Sequence, residues 1–559
     1  MCSNPRSIRP ASAVAGVLFA LVIVAGVRGA GPRFYPDDPL TVDNDSAFDA
    51  SGAQPRNLSE WYDFATNQFG DPGEREKIRA VNINTLDEVP DSSWFTNRIG
   101  QRPMSASEVA KGPDSVDRLD VEEWLVTAGK GPAGFQPGFR AVNARDTRPV
   151  SERTLYQLEL DLEDFPDLAT SAEIIGTALY HAIGYNVVDT YLVNVDPKKV
   201  RVAENATMRD ASGRRPLTQR DIDEIFKLGK KNPDGTYRMS AGLFVEGRPM
   251  GNFTHFGTRP DDPNDIYKHE HRRELRANRV FASWINHDDS RAPNTLDMLV
   301  GPKDKQYLKH YMFDFGSILG SSPDRRVSGR EYMFEGKPTL ASLLTLGLWV
   351  PPGELAPFPT GSLYHHVGLI EAEDFKPEDW KPNYPNSAFD NLRPDDAFWA
   401  ARIVARFTNE ALAAVVKKAA FRDQRASDFI ISVLIKRRDR VVSTWLNGTN
   451  PLVDFRLAND GTLTFENAAV NAKASTPGTG YAISWSRFDN TADTHQPVGA
   501  EATVQTTTTR APQGLENSQY IAATIKSLHP DHPAWAQPLR AYFRREGAGW
   551  KTVGLERQP

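Results

Sequence analysis

Two short stretches, Ile285-Asn-His-Asp-Asp-Ser-Arg-Ala-Pro-Asn294 and Tyr311-Met-Phe-Asp-Phe-Gly316, decide how this 559-residue chain is interpreted. The first follows residues 272–285, whose apolar side chains recur with helical spacing, and the second ends a short hydrophobic run typical of a strand. Packing in a protein core does not explain why the second stretch carries a carboxylate or why the first stretch has so many polar side chains. Three side chains in these stretches carry oxygen atoms of the kind that hard cations such as Mg²⁺ prefer, namely Asp289, Asn294 and Asp314.

The order and spacing of these residues resemble the catalytic loop and the metal-binding motif of the protein-kinase-like superfamily. His287, Asp289 and Asn294 match His-x-Asp-x-x-x-x-Asn, and Asp314 begins an Asp-Phe-Gly about twenty residues later. His-Asp-Asp replaces the usual His-Arg-Asp, which makes the chain similar to atypical bacterial branches such as the HipA-like and CotH-like kinases. The resemblance covers roughly residues 120–445.

The resemblance implies an α+β fold with a bilobal protein-kinase-like core, to which the C-terminal pattern adds an all-β domain. We expect a small β-rich lobe with one helix at 121–195 and a hinge with a helical large lobe at 196–450. An extended lead-in with short helices occupies 30–120, where Pro, Asp, Asn and Ser are frequent. The Thr-rich, strand-like pattern of 451–559 predicts the separate β domain.

The same resemblance implies a role for each motif residue. Phosphoryl transfer requires positioning and charge neutralisation, so Asp289 would orient or deprotonate the acceptor hydroxyl, and Asn294 and Asp314 would hold the metal ions. Arg291 would contact the phosphate, and His287 would organise the loop.

The small lobe departs from the kinase pattern. Lys130, Gly131 and Gly134 lie between two strand-like runs, where a kinase places its phosphate-covering loop, although a plain loop fits the spacing equally well. Glu173 is where the helix glutamate would be, yet Glu159 occupies the position of the expected lysine. Two explanations stay open: a cation from elsewhere, such as Lys130, Arg140 or Arg153, replaces that lysine, or the chain no longer transfers phosphate.

The N-terminal residues predict export. Arg6 and Arg9 precede an uncharged run at 13–27, and small residues follow, so we expect a signal peptide at 1–29, with an uncleaved anchor as the alternative. Its removal leaves 63 basic and 72 acidic residues, a net charge of −9. This charge argues against nucleic-acid binding, and no membrane span is expected after cleavage.

Parts of the sequence are also compatible with three functions other than that of a kinase. His269 and His271 could bind Zn²⁺ with Asp288 or Asp289, but their spacing at a helix entry favours a polar turn. A glycosidase would need Asp288 and Asp289 to face one substrate from opposite sides. The aromatic residues after position 480 could form a carbohydrate platform, although alternating aromatic residues usually form core.

The sequence therefore predicts an exported kinase-like phosphotransferase in the periplasm or cell envelope. It would use ATP or another nucleotide with Mg²⁺ or Mn²⁺ and transfer phosphate to a hydroxyl of a protein, glycan or small molecule. The alternative is a catalytically inactive pseudokinase that acts as an envelope binding or scaffold protein.

Overall fold

The computed structural model describes residues 31–130, 136–210, 213–328, 332–350 and 355–558. The predicted signal peptide and the loop glycines Gly131 and Gly134 lie outside these ranges. Within the described ranges, no helix has both the length and the apolar character needed to cross a membrane.

The lead-in contains two helices, α1 (Glu60–Phe69) and α2 (Ala106–Lys111), and is otherwise irregular. Ser59 and Ser105 cap them by accepting bonds from Tyr62 N and Glu108 N. The segment nevertheless packs closely on the rest of the chain. Several of its apolar side chains lie in the cores of other units: Phe34, Trp94, Phe95, Ile99 and Val109.

The first large unit is a seven-stranded sheet with two helices. Its elements in chain order are β1 (Trp124–Gly129), β2 (Gly138–Asn143), β3 (Leu155–Leu160), α3 (Leu168–Ile183), β4 (Thr190–Val195), β5 (Val200–Asp210), β6 (Gly213–Pro216), α4 (Gln219–Lys227) and β7 (Tyr237–Leu243). The strand order is β4-β7-β3-β2-β1-β5-β6, and only β1 and β5 run parallel. The sheet thus takes strands from both sides of Val195, where the sequence predicted a lobe boundary.

Helix α3 connects the sheet to the helical unit. The Asp161 carboxylate, just after β3, accepts bonds from Ala169 N and Thr170 N and so satisfies donors of the first turn. The helix ends at Gly184, whose φ of 144° favours glycine. Most of its side chains are buried within the core of the helical unit.

The second unit begins with β8 (Arg248–Gly251), α5 (Arg273–Ile285), β9 (Thr295–Val300) and β10 (Tyr307–Met312), whose strands form an antiparallel sheet in the order β10-β9-β8. Five helices follow: α6 (Gly336–Leu344), α7 (Ser387–Asp390), α8 (Pro394–Val404), α9 (Asn409–Lys418) and α10 (Gln424–Leu446). The amphipathic faces of α5, α8, α9 and α10 share one core with α3.

The C-terminal unit is a β domain with one short helix. It comprises β11 (Leu452–Leu457), β12 (Thr462–Asn467), α11 (Ala468–Asn471), β13 (Gly480–Asp489), β14 (Thr494–Val504), β15 (Thr508–Arg510), β16 (Tyr520–Leu528), β17 (Leu539–Glu546) and β18 (Gly549–Arg557). A five-stranded sheet, β14-β13-β16-β17-β18, faces a three-stranded one, β11-β12-β15. Its aromatic residues are mostly buried, among them Trp485, Phe488, Trp535, Tyr542 and Phe543. They form core, as the sequence favoured.

The fold class is α+β, as predicted: a β-rich unit, a helical unit and a C-terminal β domain, consistent with a kinase-like bilobal core. A buried ion cluster joins the lead-in, the helical unit and the C-terminal β domain. Arg273 of α5 is fully buried and pairs with Asp87 of the lead-in and with Asp395 and Asp396 of α8 at 2.9 to 3.0 Å. Asp87 also lies 3.7 Å from the guanidinium of Arg557, at the end of β18.

The pKa of Asp87 reports the strength of this cluster. Burial opposes ionisation, but Arg273, Arg79 and Arg557 outweigh it and lower the pKa of Asp87 to about 2. An unfolded Asp has a pKa of about 3.9, so the stabilisation is complete above about pH 4 and is lost as the pH falls through about 2.

Replacing Asp87 with Asn should therefore lower the free energy of unfolding by about 3 kcal/mol at neutral pH, because the buried guanidinium groups lose a charged partner. Urea denaturation of the two proteins would measure this difference. The exposed Asp117→Asn in the same lead-in is the matched control and should change stability by less than about 0.5 kcal/mol. The Asp87→Asn deficit should shrink between about pH 4 and about pH 2, and a constant deficit would contradict the proposed ionic origin.

Candidate active site

The β9–β10 hairpin brings the two predicted metal ligands to one place. Thr295 pairs with Met312, so Asn294, just before β9, lies beside the residues that follow β10. The Phe313 amide donates to the Asn294 carbonyl at 3.2 Å. Asp314 comes next, with a left-handed backbone (φ 63°, ψ 66°) that is uncommon for residues other than glycine.

The chain between α5 and β9 forms the loop that carries His287 and Asp289. It begins at Asn286, which is also left-handed (φ 54°) and whose side chain accepts a bond from Trp380 Nε1 at 2.9 Å. His287 is buried, its amide donates to the Ala282 carbonyl, and its ring packs beside Phe315. Burial lowers the pKa of His287 to about 4. A neutral, buried imidazole suits the predicted role of loop organiser.

Asp289 is surrounded by hydrogen-bond donors. Its Oδ2 accepts from Asn294 Nδ2 at 2.8 Å, and its Oδ1 lies 2.5 Å from Arg291 Nε and accepts from Asn383 Nδ2 at 3.2 Å. Arg291 Nη2 donates to the Oδ2 at 3.3 Å as a fourth contact. Since a carboxylate offers about four lone-pair sites, an incoming hydroxyl would replace one of the longer contacts. The side-chain nitrogen of Asn294 faces Asp289. The side-chain oxygen of Asn294 therefore lies on the other side of the amide, away from Asp289.

Arg291 is engaged by neighbours from other parts of the chain. Besides Asp289, its guanidinium reaches Glu60 of α1 at 3.3 Å. Asp63, also in α1, accepts a bond from Tyr384 Oη at 2.6 Å. Burial works against the charge of Arg291, but Asp289, Tyr384 and Glu60 outweigh it and raise the pKa of Arg291 above its usual range. The lead-in helix thus supports the loop.

The sheet unit contributes Lys130, which follows β1, and Glu159, on β3; the two side chains form an ion pair. Arg140 and Arg153, the other cations considered as replacements for the missing lysine, hydrogen-bond instead to Gln157 and to the Arg148 carbonyl. Of the three, Lys130 is therefore the cation beside Glu159.

The Asp-Phe-Gly turn packs against α3. A Cβ on Gly176 would lie 2.4 Å from Phe315 Cβ, so only glycine allows this approach. A Cβ on Gly316 would lie 3.7 Å from both Asp314 Oδ1 and Gln136 Oε1. Gln136 is buried, and its amide nitrogen has no hydrogen-bond partner among the described residues. In the sequence it directly follows residues 131–135, which include Gly131 and Gly134 and lie outside the described ranges.

Four carboxyl groups come close enough to act on one another where the sheet unit meets the helical unit, a place that we call the cleft: those of Glu159, Glu173, Asp289 and Asp314. The surrounding protein, Glu159 and Asp289 raise the pKa of Asp314 to about 6, while Lys130 and Arg291 act in the opposite direction. The Asp314 residue is nevertheless exposed to solvent. Burial, Asp314 and Glu159 raise the pKa of Glu173 to about 8. Ionising all four carboxyl groups together is therefore unfavourable in the metal-free protein, and their oxygen atoms suit a hard divalent cation.

The structure does not bring together the residues of the alternative zinc site or of the glycosidase site. His269 contacts Asp265 and the Thr254 carbonyl, and His271 contacts Glu74 and Arg276, so neither histidine joins Asp288 or Asp289. Asp288 is buried, and burial and Asp289 raise its pKa well above the usual value. A buried carboxyl next to a partly exposed one on the same loop does not form the facing pair that glycosidases require.

Among the described residues, Glu74, Glu270 and His271 bring their ligand atoms close enough together to hold a metal ion. Arg276 Nη2 donates to His271 Nδ1 at 2.6 Å, so the proton of a neutral His271 lies on Nε2, which faces Glu74 at 2.9 Å. Lys268 also pairs with Glu74. Protons and cations thus already occupy the positions that a metal ion would need.

The described residues form a mixed α+β chain, which is consistent with a kinase-like bilobal core and a C-terminal β domain. No protein-family model matches the chain, and no curated protein matches it. Among solved structures, the chain is similar to the crystal structure of a Helicobacter pylori proinflammatory kinase, CtkA. The similarity covers 57% of this chain and 94% of CtkA, with 13% identity and a TM-score of 0.28.

The raised pKa of Glu173 gives a measurable pH dependence. Because this pKa is higher in the fold than the value of about 4.3 for an unfolded Glu, the carboxylate destabilises the protein as the pH rises from about 4 to about 8. In metal-free buffer, Glu173→Gln should therefore match the wild type in stability near pH 4 and exceed it near pH 9. Urea denaturation across this range measures the difference. The exposed Glu163→Gln should show no such crossover, and parallel curves for Glu173→Gln would contradict the assignment.

Proposed function

We propose that this chain is an exported kinase-like phosphotransferase that moves a phosphoryl group from a nucleotide to a hydroxyl acceptor. The observation that carries the proposal is the β9–β10 register, which joins Asn294 and Asp314 at one end of a hairpin and sets Asp289 beside Asn294. These three groups come from two separate sequence motifs and meet in one cleft between the sheet unit and the helical unit. The proposed location is the periplasm or cell envelope.

The residues of the cleft fit the implied cofactors. Asn294 and Asp314, assisted by Glu173, would hold Mg²⁺ or Mn²⁺, since amide and carboxylate oxygens are suitable ligands and the pKa values of Asp314 and Glu173 indicate uncompensated negative charge. A bound cation would neutralise charge on the phosphates of ATP or another nucleotide. Lys130 and the Gln136 amide would contact the phosphates from the side of the sheet.

The chain's own residues divide the remaining work. Asp289 would accept a hydrogen bond from the acceptor hydroxyl and orient it toward the phosphate, in place of its 3.2 Å contact with Asn383. Arg291 fixes Asp289 and places a positive charge beside it, while buried His287 holds the loop. The acceptor is a hydroxyl of a protein, glycan or small molecule.

A pseudokinase that binds an envelope partner without chemistry is the second candidate. It is favoured by the ion pair between Lys130 and Glu159, because this pair occupies the lysine that would otherwise face the phosphates. An active enzyme must release Lys130 from Glu159 or share it between Glu159 and the nucleotide.

Nucleotide binding separates the first candidate from a plain scaffold. With Mg²⁺ or Mn²⁺ and nucleotide at about 100 times the dissociation constant, the protein should gain about 2.7 kcal/mol of stability, seen as a higher melting temperature. Asp314→Ala should abolish this gain. Asp304→Ala, at the opposite end of the same hairpin, is exposed and should retain it. A shift that is absent for every nucleotide and metal tested, or equal in the two variants, would contradict the proposed site.

Catalysis is tested by a different substitution. Asp289→Ala should keep the metal-dependent nucleotide shift but lower the rate of phosphoryl release or transfer at least about 100-fold, because only the acceptor loses its orienting group. Rates of product formation from labelled nucleotide provide the measurement, with Asp304→Ala as control. A protein that binds nucleotide yet forms no product in the wild type would instead be the pseudokinase.

A further inference from the structure

Helix α1 has an inverted polarity. The helix buries two polar residues, Asp63 and Asn67, against the catalytic loop and its surroundings, whereas Trp61, Tyr62 and Phe69 face outward. A surface helix normally buries its apolar face and exposes its polar one. Trp61 is 81% exposed, which is unusual for so large an apolar side chain. The outward face of α1 therefore suits apolar surroundings better than water.

A second element extends this apolar surface. The Phe69 ring lies 6.0 Å from the Phe334 ring, which leads into α6. Every residue of α6 is at least partly exposed, and the sequence has no charge from Pro338 to Gly353. Five leucines of this stretch are 56% to 92% exposed: Leu340, Leu343, Leu344, Leu346 and Leu348. We call the exposed apolar side chains of α1 and of 333–350 the apolar patch.

The directions of these side chains distinguish between kinds of partner. Leu340, Leu343 and Leu344 share one face of α6, whereas Leu346 and Leu348 lie in and after a turn with positive φ at Leu346 and Gly347. A protein groove receives one face of a helix. Leucines on both arms of a protruding turn, beside outward-facing Trp61 and Tyr62, are better covered by the interfacial region of a bilayer, where leucine and aromatic side chains insert.

The patch is also connected to the candidate cleft. Glu60 and Asp63, on the inner side of α1, contact Arg291 and Tyr384, so the two sides of one helix face the catalytic loop and the patch. Lys337, at the start of α6, is exposed and would face anionic headgroups. We propose that the apolar patch docks on the surface of a lipid bilayer and that, given the proposed function, the acceptor hydroxyl is presented at that membrane surface.

A local fluorescence probe tests the docking. The full chain has one cysteine, so Cys2→Ser allows a polarity-sensitive dye to be attached through Leu344→Cys in the patch or Ile266→Cys outside it. Both positions are well exposed, at 77% and 69%. Vesicles of equimolar phosphatidylcholine and phosphatidylglycerol should shift the emission at 344 to shorter wavelength and raise it several-fold, with little change at 266. Because the dye reports its own surroundings, an N-terminal apolar run that binds lipid does not produce this result.

Two charge-matched variants control the measurement. With the dye at 344, Leu343→Glu together with Leu348→Glu should abolish the emission change, while Leu228→Glu together with Ile266→Glu, at exposed apolar positions elsewhere, should preserve it. No change at 344, or an equal change at 266, would overturn the proposal. Emission at 344 that rises with protein concentration and ignores vesicles would also overturn it, in favour of a second copy of the chain.

The acceptor part has a separate readout. Label from the nucleotide should accumulate in the membrane fraction of cells that make the protein, and accumulation in the soluble fraction would overturn that part. The dye experiment needs no nucleotide, so a failure of lipid docking and a failure of phosphoryl transfer are distinguishable.

Discussion

The pairing of Thr295 with Met312 is the constraint on which the candidate site depends, because it sets the residue before β9 beside the residues after β10. A shift of one residue would turn one strand over and move Asn294 away from Asp314. The backbone is left-handed at Asn286, where the loop begins, and at Asp314, just after the hairpin. These two turns direct the loop and the Asp314 carboxylate toward the cleft. Such backbone conformations persist only where the surrounding structure enforces them.

The charge of the cleft follows from this geometry and has an energetic cost. Carboxyl groups from β3, α3, the loop that carries Asp289 and the hairpin act on one another, and two of them, Glu173 and Asp314, have pKa values of about 8 and about 6. A protein that used these lobes only as a scaffold would gain stability from less acidic side chains here. A bound cation would remove the repulsion, so the cost is understandable in a metal-dependent nucleotide site. The Lys130–Glu159 pair offsets only part of it.

The sequence predicted the local structure well and the long-range contacts poorly. Helical periodicity at 272–285 located α5 (Arg273–Ile285) to within one residue, because its apolar stripe is regular. It did not show that β5, β6 and β7 complete the same sheet as β1 to β4, since strand pairing has no local signature. The motifs supplied the central residues of the cleft, but Asn383 and the α1 carboxylates were missed. They lie far from the loop in sequence, and an irregular acidic lead-in gives no sign of where it packs.

Helix α1 explains why the lead-in belongs to the site. Its apolar residues Trp61, Phe64 and Phe69 recur with helical spacing, yet in the structure the buried side chains of the helix are the polar Asp63 and Asn67. A helix departs from the usual pattern of buried apolar and exposed polar side chains mainly where the chain contacts a ligand or partner. Folding alone gains no stability from burying Asp63 and exposing Trp61. The same helix holds Arg291 through Glu60 and carries the aromatic side chains of the apolar patch. Any partner that covers those aromatic side chains would therefore contact the same helix that holds Arg291 and, through Arg291, Asp289.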